Sequence, residues 1–325
     1  MAHSFPMKAP AVNPPLVAIV GPTASGKSAL GIFLARQFGG EVIACDSTQL
    51  YRGFDIGTAK PTLDERANVK HHLLDILEPT EESTAGGYRE RAIAILDELR
   101  GRSCLPIFTV GTGLYLRALL DGLADLPLRS EEIRESLRAS AAERGHGHLH
   151  KMLEHLDPHS AKQISASDEQ KLIRAIEICM LTRKPLSDLH RAGRNPLTGW
   201  RTIRIGLQPD REALNQRIRA RTDKMLEDGW LNEVSRLLAS GLPDTAKPFQ
   251  FIGYRELRSY LRGEIRLDAA RIAIQQGTRQ YAKRQLTWFR REANVHWLTG
   301  FGDERSLQAN ARGFLSEQLS SVRPL

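Results

Sequence analysis

Leu16-Val17-Ala18-Ile19-Val20-Gly21-Pro22-Thr23-Ala24-Ser25-Gly26-Lys27-Ser28 decides the fold. The five apolar residues at its start predict a buried strand, and Ala29–Ala35 continues beyond it as a helix. Between them lies a glycine-rich turn with the spacing of a P-loop. Gly21 and Gly26 let backbone N–H groups converge on phosphate oxygens, with a helix N-terminus behind them. Lys27 is spaced to reach terminal phosphates and Ser28 to hold Mg²⁺. All eight residues, Gly21, Pro22, Thr23, Ala24, Ser25, Gly26, Lys27 and Ser28, therefore form an expected oligophosphate site. A chance match in a structural turn would not need both the strand and the helix.

Strand signals recur outward from this loop. Glu41–Asp46 is a short apolar run ending in an acid, His72–Leu77 is another, and Leu105–Val110 runs into Gly111-Thr112-Gly113. A helix is expected over Tyr88–Arg100, capped by Ser83 or Thr84. Such alternation predicts an α/β fold, a P-loop NTPase-like core with a mostly parallel sheet. The pattern changes at about Leu126. From there to Thr198 the periodicity is helical, over Ser130–Ala142, His148–Leu156 and Asp168–Leu181. Arg201–Leu207 then resumes the sheet, and helices follow at Arg211–Glu227, Leu231–Ala239 and about Ala269–Arg291, with Trp297 near a last short strand. The expected organisation is a flexible Ala/Pro-rich tail over 1–15, a core made of 16–125 and 199–325, and an all-helical insertion over 126–198.

Composition narrows the partners. The 325 residues carry a formal net charge of +8, and the pI is about 9.6. That excess favours a polyanion, nucleic acid above all, over simple solubility charge. Cys45, Cys104 and Cys179 are widely spaced, so neither a disulfide framework nor a zinc ribbon is expected. No apolar run reaches membrane-spanning length, and a cytoplasmic protein with no membrane partner is expected. His146, His148, His150, His155 and His159 scatter around a helix with no acid or cysteine to complete a ligand set, so no metal is expected there.

The carboxyl ends of parallel strands gather the chemistry. In an ordinary P-loop ATPase a later strand ends in an Asp that positions Mg²⁺. Here Leu105–Val110 ends in Gly-Thr-Gly, and the acid is Asp46 on the other strand. Asp46 is placed to orient a metal, to act as a general base, or simply to cap a turn. Thr112 can donate its hydroxyl to a leaving oxygen or serve a backbone turn. Arg211, Arg217 and Arg221 recur along one helix. One of them can neutralise a developing diphosphate charge, unless they form a solvated face. The cations, amides and aromatics of Arg279–Arg291 suit phosphate-and-base contacts, though amphipathic helices share that look.

Taken together, these residues resemble the bacterial tRNA dimethylallyltransferases (tRNA isopentenyltransferases, the IPP transferase family). The resemblance runs from about Val17 to Trp297. It rests on the P-loop, Asp46–Tyr51, Asp55–Pro61, His71–Asp75, Gly111–Tyr115, Ile252–Glu256 and Lys283–Trp288 in that order. It implies transfer of a dimethylallyl group from dimethylallyl diphosphate to the N6 amine of the adenosine 3′ of the anticodon, position 37, in tRNAs reading codons that begin with U. Diphosphate leaves, and Mg²⁺ is needed. By position, the resemblance makes Asp46 the base for the adenine amine and puts Thr112 on the bridging oxygen. Arg221, with Lys27 and Ser28, holds the diphosphate. It aligns tRNA contacts with Asp46, Ser47, Thr48 and Gln49, with Arg134, and with Gln170, Lys171, Leu172, Ile173 and Arg174. Further contacts align with Phe249, Gln250, Phe251, Ile252, Gly253 and Tyr254, and with Lys283, Arg284, Gln285, Trp288 and Arg290. The insertion would clasp the anticodon stem-loop, and the chain would act as a monomer. Where the family usually has Gly-Gly-Thr, this chain has Val110-Gly111-Thr112.

Three rival readings share some of these residues. An isopentenyltransferase acting on free AMP, ADP or ATP would use the same loop and Asp46, but needs neither the basic excess nor the insertion. A small-molecule kinase would need the strand-borne Asp that is missing. A non-catalytic RNA-binding protein would have no use for an intact Lys27, Ser28 and Asp46.

Overall fold

In the computed structural model the described residues are 13–321, except 67, 125, 128 and 192. The expected tail lies outside them over residues 1–12; its end does not behave as a tail. Pro15 opens the first strand, and the Pro14 carbonyl accepts a hydrogen bond from the Arg201 N–H at 2.9 Å. Proline is tolerated there because the first residue of a strand need not donate.

The chain divides into two compact units, one of residues up to Leu119 and from Thr198 onward, the other Leu120–Leu197. The first unit begins with β1 (Pro15–Val20), α1 (Lys27–Phe38), β2 (Gly40–Cys45), α2 (Leu63–Arg66), β3 (His71–His72), α3 (Ala85–Gly101), β4 (Leu105–Val110) and α4 (Gly113–Leu120). The second unit holds α5 (Glu131–Arg144), α6 (His146–Leu156), α7 (Pro158–Gln163), α8 (Glu169–Thr182) and α9 (Leu186–Arg191). The first unit then resumes with β5 (Arg201–Leu207), α10 (Arg211–Glu227), α11 (Trp230–Ala239), a 3-10 turn (Lys247–Gln250), α12 (Tyr254–Leu261), α13 (Leu267–Phe289), β6 (Val295–Leu298) and α14 (Arg305–Ser320).

The six strands are ordered β3-β2-β4-β1-β5-β6, and each pairing is parallel. Central β1 is flanked on both edges and covered on both faces. Its residues Leu16–Val20 are fully buried, as a continuous apolar run in a parallel sheet should be. On one face, Leu30 and Leu34 of α1 and Leu307, Ala311 and Leu315 of α14 pack on Val17, Ile19, Val42, Ile107, Ile203 and Ile205. The α3 cap is Thr84, whose hydroxyl accepts from the Gly87 N–H. The expected strand over His72–Leu77 shrinks to His71–His72, because Leu73 and Asp75 take left-handed backbone conformations. Asp75 does so to pair its carboxylate with buried Lys60. Val110 is a regular, buried strand residue in register with Cys45.

In the helical unit, Ser130 caps α5, Asp157 caps α7 and Asp168 caps α8, each accepting from a first-turn N–H. Leu137, Leu149, Leu153, Leu172, Ile173 and Ile176 form its core.

Candidate active site at the phosphate loop

Positive φ at Gly21, Ala24 and Gly26 curls the loop between β1 and α1. Gly26 has no room for a side chain: a Cβ there would sit 2.7 Å from the Gly302 nitrogen. The loop faces a cavity of about 720 Å³ lined by Ser25, Lys27, Ser28, Asp46, Arg217 and Arg221, among others. The Lys27 ammonium donates to the Gly21 and Pro22 carbonyls at 2.9 and 2.8 Å. Burial pushes the Lys27 pKa down to about 7, with Asp46 pulling it up and Arg221 pushing it further down. Burial likewise lowers Arg221 to about 10, helped by Arg217 and opposed by Asp46. The Ser25 hydroxyl is buried and has no protein partner. Crowded cations and an unused hydroxyl are suited to a phosphate-rich anion.

Asp46 stands just past the carboxyl end of β2. Its Oδ1 accepts from the Thr48 N–H at 2.9 Å and the Thr48 hydroxyl at 2.8 Å. The carboxyl lies against Gly111, where a Cβ would be 1.9 Å from Asp46 Oδ2. The turn after β4 is drawn alongside, because the Gly111 and Thr112 N–H groups both donate to the Cys45 carbonyl. Thr112 Oγ1 accepts from the Ser47 N–H at 3.0 Å and lies 3.2 Å from Ser47 Oγ. The glycine-rich loop, Asp46 and the Thr112 turn thus converge at the carboxyl ends of β1, β2 and β4.

The three helix arginines separate. Arg211 is exposed. Arg217 forms a two-pronged pair with Asp303 at 2.8 and 2.7 Å and stacks over Phe301. Arg221 enters the site and donates to Thr23 Oγ1 at 2.9 Å. Asp303, on a loop whose Gly302 N–H donates to the Ser25 carbonyl, went unread in the sequence. Nothing local marks a residue so far along the chain.

A second cavity of about 270 Å³ shares Thr23, Asp46 and Arg221 with the first. Its apolar wall includes Met225, Trp230, Phe251, Ile252 and Ile274. Trp230 is wedged between Gly57 and Gly253, where added methyl groups would come within 2.3 and 1.9 Å of the indole. Glu233 of the same helix accepts from the Asp55 and Ile56 N–H groups and from the Tyr254 hydroxyl.

Several residues expected to meet RNA are turned inward instead. Leu172 and Ile173 belong to the core of the helical unit, and Phe249 and Tyr254 are fully buried. Gly253 is covered by Trp230. The Gln285 amide is buried, accepting from the Thr23 N–H and donating to the Gly111 carbonyl, both at 2.7 Å. Gln49 donates to the Thr58 and Ala59 carbonyls. In α8 and α13, alternation around the helix explains this, because each helix turns only some of its side chains outward. Gln170, Lys171, Gln250, Lys283, Arg284 and Arg290 are exposed. Arg134 and Arg174 surround the buried Glu177 carboxylate at 3.7 and 2.7 Å. Trp288 is half-buried beneath Arg117, 4.6 Å from its guanidinium.

Among the described residues no group of three His, Cys, Asp or Glu side chains is arranged to hold a metal ion. Ser28 and Asp46 are among the hard oxygen donors that line the phosphate-loop cavity. That set fits Mg²⁺, which uses one or two protein oxygens and completes its shell with water and phosphate.

Fold and site define a P-loop-like α/β protein with no strand-borne acid on β4. Comparison with known proteins gives the particular kind. The family described as IPP transferase matches residues 49–292, and that described as Isopentenyl transferase matches 14–78. A tRNA dimethylallyltransferase of Koribacter versatilis is 51% identical over 299 residues, 92% of this chain and 97% of its own. The solved tRNA isopentenylpyrophosphate transferase of Bacillus halodurans is 37% identical with a TM-score of 0.70, covering 94% of this chain and 97% of that one. A eukaryotic dimethylallyltransferase acting on tRNA is 27% identical with a TM-score of 0.82, covering 96% and 81%. The chain belongs to the IPP transferase family and is an enzyme of the prenyltransferase class.

Proposed function

We propose that this enzyme transfers a dimethylallyl group from dimethylallyl diphosphate to the N6 amine of the adenosine 3′ of the anticodon in tRNAs reading UNN codons. One observation carries the reading: a cation-lined cavity and an apolar-walled cavity share Asp46, Thr23 and Arg221. A phosphate chain suits the first, and a prenyl group meeting a planar base suits the second.

The loop N–H groups, Lys27 and Arg221 take up the diphosphate, so charge developing on the leaving group meets fixed donors. Thr112, oriented by the Ser47 N–H, donates to the bridging oxygen. Asp46 accepts the proton that the exocyclic amine loses as it bonds to the allylic carbon. Mg²⁺, held through Ser28, would supply further charge neutralisation on the diphosphate. The apolar wall keeps water from the electrophilic carbon. An anticodon loop gives up a base cheaply, because its bases are not locked in a duplex. The exposed cations Lys171, Lys283, Arg284 and Arg290 suit the RNA backbone. Among the described residues no helix is long and apolar enough to cross a membrane. We read the protein as a cytoplasmic monomer.

The test is transfer from radiolabelled dimethylallyl diphosphate, with Mg²⁺, to tRNA lacking the modification and separately to AMP. Label in tRNA alone is expected. Label in AMP alone would assign the protein to free nucleotides. ATP hydrolysis with no label would overturn both the reaction and the role of Asp46.

A further inference from the structure

Gln285 of α13 is buried where the site's two halves meet. Its Oε1 accepts from the Thr23 N–H of the phosphate loop, and its Nε2 donates to the Gly111 carbonyl, both at 2.7 Å. Each partner reaches further into the site. Thr23 carries Arg221 through its hydroxyl, at 2.9 Å. Gly111 abuts the Asp46 carboxyl and precedes Thr112. Tyr281, one turn back on α13, donates to the same Gly111 carbonyl at 3.0 Å.

We infer that Gln285 is a positioning residue, a strut that sets the distance between the diphosphate-holding loop and the Asp46–Thr112 pair, and not an RNA contact. One end of the strut must accept and the other must donate. A neutral amide does both. A carboxylate can only accept, and would face the Gly111 carbonyl with negative charge. A thioether of similar length offers no N–H or O–H. A protonated carboxyl restores the pattern, with C=O toward Thr23 and O–H toward Gly111. The inference rests on the transfer reaction proposed above.

That chemistry supplies the test. Gln285→Met and Gln285→Glu are compared with the wild type for kcat, for KM of the donor, for affinity toward inorganic diphosphate and toward unmodified tRNA, across pH. Misplacing reacting groups by about 1 Å costs about 10²-fold, so kcat of Gln285→Met should fall on that scale while tRNA affinity stays unchanged. Gln285→Glu should be equally poor at high pH. Its activity and diphosphate affinity, each divided by the wild-type value at the same pH, should recover as pH falls and the buried carboxyl protonates. The other titratable groups around it, Lys27, Arg221, Asp46 and Tyr281, are present in the wild type and cancel in the ratio. Gln285→Met should show no such recovery. Should it fail to fold, the pH dependence of Gln285→Glu alone decides. A flat ratio, or loss of tRNA affinity in place of kcat, overturns the strut. A wild type that transfers nothing overturns the reaction instead, and diphosphate affinity still tests the strut.

Discussion

The phosphate loop and the helical unit bury charge in opposite ways. At Asp157 of the helical unit, burial pulls the carboxyl upward, but four bonds from Ser160 and Ser187 outweigh it and hold the pKa at about 2. Its charge is fully answered by groups of its own unit. At the phosphate loop, burial and the nearby Arg221 guanidinium lower the Lys27 pKa against the pull of Asp46, burial and Arg217 lower Arg221, and the Lys27 ammonium donates to backbone carbonyls. The first arrangement serves architecture. The second stores an electrostatic deficit that an incoming anion removes. Buried charge alone does not mark a functional site; buried charge left incompletely answered does.

Four outcomes would break or sharpen that contrast. Asp46→Asn keeps the shape of the site but not its base, so transfer should fall by about 10²–10⁴-fold. Its tRNA affinity should stay at the wild-type level in a filter-binding assay, and unchanged transfer would remove Asp46 from the chemistry. Asp157→Ala should cost about 3 kcal/mol in urea unfolding, because it strands buried donors at Ser160 and Ser187. The carboxyl's folded pKa of about 2 lies below its ordinary 3.8. Its stabilisation is therefore complete above the ordinary value and is lost as pH falls through the folded one. The variant should lack that acid-sensitive component.

Lys27 carries the opposite sign. Its pKa of about 7 lies below its ordinary 10.5. Between those values the unfolded chain holds the extra proton, so this residue's contribution to the stability of the folded protein rises with pH. Bound diphosphate draws the proton back. Calorimetry at pH between these values, in buffers of different ionisation enthalpy, should show uptake approaching about one proton per diphosphate. Affinity should weaken as pH rises, and uptake of none would mean that Lys27 is already charged before diphosphate is added. The smallest effect belongs to Ser130→Ala, which removes the α5 cap and should cost about 1 kcal/mol in thermal or urea unfolding, with catalysis untouched.

Much of this was legible in the sequence because the signals are local. The phosphate loop, its flanking strand and helix, Asp46 at a strand end, and the capped helices after Ser130 and Asp168 all announce themselves within a few residues. What stayed hidden depends on distant partners. Arg217 and Arg221 share a helix face, and only Asp303 decides which one is occupied elsewhere. Gln285, Phe249 and Tyr254 lie in segments whose resemblance signals contact with RNA, yet a resemblance does not fix which way a side chain turns. The helix α14 escaped because its buried stripe is only Leu307, Ala311 and Leu315, a thin apolar signal. The strand at His72 is shorter than its apolar run suggests because Leu73 and Asp75 leave extended geometry, and the Asp75 carboxylate pairs with Lys60, fifteen positions earlier.

The brace on the phosphate loop has a consequence for how the protein is made. The loop leaves the ribosome well before the Gly302 N–H that holds its Ser25 carbonyl. The strand beneath it pairs with β5, which emerges only after the whole helical unit. Synthesis therefore delivers a recognisable phosphate loop long before it delivers a working one. A product cut short before Gly302 would carry the motif without the brace.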